Sequence, residues 1–178
     1  MSKTVLIVPG WGGSGEEHWQ TLWQLEHGYR RVEQVDWERP DLETWLAPLE
    51  AEVNRAPSSV VLVAHSLGCA LVAHYARRNP ASLVAAALLV APADVDSEMH
   101  TPDDVRCFSP LPMDRLPFPS VVVASRTDPY VRFARATEMA NAWGARLVDV
   151  GRQGHINVDA GVGRWDAGFL LLEELLSG

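Results

Sequence analysis

Three observations predict an α/β fold with a doubly wound, mostly parallel six-stranded sheet between two layers of helices. Short β-branched and aliphatic runs alternate with segments of helical period along the chain. One run, Leu83–Val90, is apolar at every position, as a strand covered on both faces should be. The third is size: 178 residues at 47% hydrophobic content suffice for one well-buried domain and fall short of two. Strands joined mostly by helices then imply parallel pairing within a single domain, residues 1–178.

Thr4–Val8 reads as a buried strand. Ser14-Gly15-Glu16-Glu17 has the S-x-x-E form of a capping box, opening a helix on which Trp19, Leu22 and Trp23 share a face. Val32–Val35 is a short second strand. Asp41 caps a helix through Trp45, Leu46, Leu49 and Val53, with Pro48 in its second turn as a possible bend. Val60–Ala64 is the third strand and Leu67–Arg78 the helix after it. Leu83–Val90, then Ser120–Ala124, a helix from about Val131 to Trp143, strand Arg146–Val150 and a helix from about Arg164 to Leu176 complete the alternation. Between them, Ala91–Pro119 is rich in Pro, Asp and Ser without a period. A loop that long in a compact domain is often functional, and 91–119 reads as a small cap or specificity loop.

The net charge of −8 argues against nucleic acid and anionic lipid as partners, and the arginines form no basic run. Cys69 and Cys107 belong to no Cys-x-x-Cys or Cys/His ladder, so neither a disulfide framework nor a metal is expected. The first apolar run, Val5–Val8, is too short for a signal-peptide core, and no stretch reaches spanning length. The expectation is a cytoplasmic protein without membrane insertion. Monomer and homodimer both remain open.

In open α/β sheets, chemistry gathers at the carboxyl ends of the strands. The first strand is followed there by Pro9-Gly10-Trp11-Gly12-Gly13, the third by Ser66, the fifth by Ser125-Arg126-Thr127-Asp128, and the sixth by Gly151-Arg152-Gln153-Gly154-His155. Ser, Asp and His in that chain order are the order of an α/β-hydrolase triad. A serine hydroxyl becomes nucleophilic when an imidazole takes its proton, and a carboxylate fixes the tautomer of that imidazole. Ser66, Asp128 and His155 are therefore the catalytic candidates. The N–H groups of Trp11 and Leu67 are candidates for the oxyanion site, and Gly10, Gly12, His18 and His65 for substrate binding.

Each has a plainer rival. Ser66 could be an ordinary helix N-cap. Asp94 or Asp96 could be the acid, although the acid usually follows the strand before that of the histidine. His65 could prop the serine turn, His18 could pack beneath the glycine loop, and Arg126 and Arg152 read as solvated surface charge.

The blocks P-G-W-G-G-S-x-x-x-H-W-Q-x-x-W at 9–23, H-S-L-G-C at 65–69, F-P-S-V-V-V-A-S-R-T-D-P-Y-V at 118–131 and G-H-I-N at 154–157 resemble the small serine hydrolases related to retinoblastoma-binding protein nine. The resemblance covers nearly the whole chain. It implies a minimal α/β-hydrolase fold lacking the first two strands of larger members, and it places the triad on Ser66, Asp128 and His155. It also implies an esterase-like enzyme for small esters, thioesters or amides, with a small-molecule acyl substrate and no cofactor. Ala64 stands where the usual G-x-S-x-G has its first glycine, as in many bacterial-type members. Two other readings are a non-catalytic protein-binding module and a flavodoxin-like ligand domain. For the first, Leu67-Gly68-Cys69-Ala70-Leu71 is an incomplete L-x-C-x-E motif; for the second, G-W-G-G-S-G is not G-x-G-x-x-G.

Overall fold

The computed structural model describes residues 3–178. Six strands form one sheet: β1 (Thr4–Val8), β2 (Arg30–Arg31), β3 (Val60–His65), β4 (Val84–Val90), β5 (Ser120–Ala124) and β6 (Arg146–Asp149). Their order is β2-β1-β3-β4-β5-β6, and every pair is parallel. The helices are α1 (Trp19–His27), α2 (Leu42–Asn54), α3 (Leu67–Arg78), α4 (Phe133–Trp143) and α5 (Asp166–Ser177).

Alternation along the strands sorts the core into two layers. Leu6, Val8, Leu62, Ala64, Leu89 and Val122 pack with Trp45, Leu49, Leu71 and Trp143 from α2, α3 and α4. Val5, Ile7, Val61, Val63, Leu88 and Val123 pack with Trp19, Trp23 and Leu172 from α1 and α5. Both faces of the sheet are thus covered, which is why β3, β4 and β5 carry almost no polar side chain. From β1 the chain crosses to β2 on one side, then returns past β1 to β3 on the other. The switch point between β1 and β3 opens a crevice at their carboxyl ends, where the glycine loop and Ser66 emerge.

Two local expectations are corrected. The second strand is Arg30–Arg31, not Val32–Val35. Pairing with β1 ends as Val32 N–H bonds to Ile7 O at 2.9 Å, and Val35 stands 88% exposed. No capping box forms at Ser14: its hydroxyl bonds to Gln20 Oε1 at 2.5 Å, and α1 starts later, capped by His18, whose Nδ1 accepts from Gln20 N–H. Pro48 lies inside α2, which runs on unbroken to Asn54 from its Asp41 cap.

Residues 91–119 contain one 3-10 segment, Asp103–Phe108, and otherwise irregular chain. Arg106 organises the strap from Val95 to Arg106. Its guanidinium donates to Val95 O (2.7 Å), Ser97 O (3.0 Å), Thr101 O (2.6 Å) and Thr101 Oγ1 (3.0 Å). Among the described residues no helix is long and apolar enough to cross a membrane.

Candidate active site

Ser66 sits between β3 and α3 at φ 56° and ψ −122°, a positive-φ conformation that costs a non-glycine residue about 1–3 kcal/mol. Its side chain makes no capping bond to α3, although it occupies the N-cap position. The hydroxyl instead lies 2.8 Å from His155 Nε2. Small neighbours permit the turn. A Cβ on Gly68 would come within 2.3 Å of Val8 O, and one on Gly10 within 3.0 Å of Leu67 N, so the glycine loop and the elbow rest backbone to backbone.

His155 and Asp128 are brought together by the loops after β6 and β5. Those loops are laced to each other: Gln153 N–H donates to Ser125 Oγ (2.9 Å), Gly154 N–H to Thr127 Oγ1 (3.0 Å), and Arg126 N–H to Gly151 O (2.6 Å). Trp19 Nε1–H holds the far side of the histidine loop through Ile156 O at 2.8 Å. Both Asp128 oxygens lie 2.9 Å from His155 Nδ1, and Asp128 Oδ1 also accepts from Tyr130 N–H at 2.9 Å. The carboxylate side chain is fully buried. Such an anion keeps the imidazole proton on Nδ1, which leaves Nε2 free to accept from Ser66.

The rival acids are engaged elsewhere. Asp94 meets Arg135 Nε at 3.4 Å, and Asp96 meets Arg135 Nη2 at 2.9 Å and Ser109 Oγ at 2.6 Å. Arg126 pairs with Asp149 at the surface.

A cavity of about 190 Å³ opens at Ser66. Gly10, Trp11, His18, His65 and Leu67 line it with Ser66 and His155, and Gly13 does so in place of the expected Gly12, whose N–H bonds to Trp37 O at 3.0 Å. The indole Nε1–H of Trp11 is held by Glu38 O at 2.9 Å. Neither the Trp11 nor the Leu67 backbone N–H is taken by a turn or cap hydrogen bond among the described residues. The strap contributes Thr101, Pro102 and Val105, and Ala93, Tyr130 and Asn157 complete the wall. Tyr130 packs edge-on to His155, with ring centroids 4.5 Å apart. Tyr130 and Asn157 belong to blocks that carried the resemblance, so a sequence signal existed for both. For the strap residues none did.

His65 is both prop and wall. Its Nε2–H donates to His155 O at 2.9 Å, and burial, with His155 and His18 nearby, holds its pKa well below the usual histidine value. His18 is lowered to about 4, chiefly by burial, then by Arg31 and His155. Cys69, beneath the serine, is a buried thiol whose pKa burial raises, and it donates to Val90 O. Among the described residues no group of three or more His, Cys, Asp or Glu is arranged to hold a metal ion.

A nucleophile-type serine elbow at the switch point of a parallel sheet, hydrogen-bonded to a histidine, places the molecule among the α/β hydrolases. The chain belongs to the serine hydrolase family, whose model matches residues 5–174. It is similar to a YdeN-like hydrolase of Pectobacterium atrosepticum, with 33% identity over 99% of this chain and 91% of that one and a TM-score of 0.88. The ydeN gene product of B. subtilis is 22% identical over 99% of this chain and all of that one, with a TM-score of 0.78. Est1E of Butyrivibrio proteoclasticus, solved with ferulic acid bound, shares the fold at 15% identity, over 99% and 90% of the two chains, with a TM-score of 0.75. No curated protein matches the chain.

Proposed function

We propose that this serine hydrolase is an esterase for small, uncharged carboxylic esters, acting through an acyl-enzyme on Ser66. The observation that carries the reading is the continuous bond path from Ser66 Oγ through His155 to Asp128. His155 Nε2 takes the hydroxyl proton as Oγ bonds to the ester carbonyl carbon. The resulting oxyanion rests on the N–H groups of Trp11 and Leu67. The carbon–oxygen bond to the alcohol then breaks, and His155 hands its proton to the departing oxygen. Water attacks the acyl-serine, giving its own proton to His155. Collapse of the second tetrahedral species releases the acid and returns the proton to Ser66.

The lining supports this choice of substrate class. No Asp, Glu, Lys or Arg faces the cavity, and about 190 Å³ is small beside the several hundred Å³ of a drug-sized ligand site. The strap within 91–119 acts as a small cap that shapes it. Thioesters and amides would use the same machinery. A net charge of −8 favours an enzyme acting on small molecules over one docked on nucleic acid or an anionic membrane.

The test is labelling of the purified protein with a fluorophosphonate probe, followed by a panel of ester, thioester and amide substrates with Ser66→Ala as blank. Labelling at Ser66 and turnover of short esters are expected. Absence of both would leave only a binding role.

A further inference from the structure

His18 carries chemistry that the acyl-transfer steps do not use. As the cap of α1, its Nδ1 accepts the Gln20 N–H at 3.2 Å, a bond that requires an unprotonated Nδ1. Burial and the nearby Arg31 keep the ring neutral at physiological pH, so its single proton is on Nε2. That Nε2–H is buried and meets no acceptor among the described residues. The rings beside it are His65, edge-on at 4.8 Å, and Trp19, tilted at 5.2 Å between centroids. Buried donors are nearly always bonded, because an orphan costs about 1–3 kcal/mol. The residue is only 6% exposed, yet it forms part of the wall around Ser66, Leu67 and His155.

We infer that His18 is a substrate-recognition donor, its Nε2–H bonding a second oxygen of the substrate outside the scissile carbonyl. The oxyanion has backbone donors of its own, so this proton answers to another group. The favoured substrates are then esters that carry an ether, hydroxyl or keto oxygen close to the reacting carbon. A donor sheltered from bulk water discriminates well, since an isostere lacking the acceptor leaves it unpaired. The inference rests on the hydrolase reading above and narrows it.

The experiment compares two isosteric pairs, p-nitrophenyl methoxyacetate against p-nitrophenyl butyrate, and 2-methoxyethyl acetate against butyl acetate. Values of kcat/KM are measured for the wild type, His18→Asn and His18→Phe, per site labelled by fluorophosphonate. Comparing ratios across variants cancels the intrinsic reactivity of the esters. Asn can still cap α1 but cannot reach as far, and Phe keeps the ring bulk. In at least one pair, the advantage of the oxygen-bearing ester should drop about five- to tenfold in both variants. Unchanged ratios, or an equal loss on both members of each pair, would overturn the inference while Ser66 labelling leaves the hydrolase reading standing. Loss of labelling in the wild type would remove both.

Discussion

Asp128 grips His155 Nδ1 with both carboxylate oxygens at 2.9 Å, in a pocket that hides the acid side chain from solvent. Asp128→Asn would remove the charge and permit the other tautomer. A fall in ester kcat of about ten-thousand-fold is expected. Asp94→Asn should leave kcat within a few-fold, since Asp94 faces Arg135 instead. The opposite ranking in steady-state assays would reassign the acid.

Ser66 is held at φ 56° by the elbow. Ser66→Ala should abolish probe labelling and lower turnover by about a million-fold. Ser66→Gly should be equally inactive but more stable, by about 1 kcal/mol, because glycine accepts this conformation without strain. Thermal denaturation of the two variants checks the difference, and an equal Tm would mean that the turn stores no strain.

Gly68 leaves no room for a methyl group, with Val8 O 2.3 Å from the added carbon. Gly68→Ala should force α3 away from β1 and cost about 3 kcal/mol. Urea unfolding would show it as a lower midpoint. Gly15→Ala, where the added carbon meets nothing within 4 Å, is the matched control.

Acid should destabilise the fold through its buried histidines. Folded His18 stays neutral down to about pH 4, and His65 also titrates well below its ordinary value, whereas both titrate near 6.5 when unfolded. Between those limits the unfolded chain binds more protons, so stability is full above about pH 6.5 and is lost as pH falls toward 4. The His18 share approaches about 3 kcal/mol at the acid end. Tm should be lower at pH 5 than at pH 7, and His18→Asn should flatten the dependence. A Tm that rises on acidification in this range would contradict it.

What could be read in advance, and what could not, has physical causes. β1, α3 and β5 match their expected bounds, because each is a mostly apolar or helical run ended by Pro9, Asn79-Pro80 or Ser125. That Ser66, His155 and Asp128 meet could be anticipated because three separate strand ends each carried one of them. β2 was misplaced because an edge strand of two residues leaves little pattern to read. The start of α1 was misread because Ser14 found a tertiary partner, Gln20, that no local rule foresees. Thr101, Pro102 and Val105 reach the cavity only through the fold of an aperiodic segment, so nothing in their spacing marked them.

The Arg106 clamp has a consequence for how such a protein can diverge. The four bonds of its guanidinium all end on carbonyls or a hydroxyl between Val95 and Thr101, none on the sheet or the triad loops. The stretch that contours the chamber therefore carries its own internal scaffold. Because His100 Nδ1–H also donates to Pro129 O and Asp94 N–H to Tyr130 O, a change in this stretch reaches the Asp128 loop as well as the chamber.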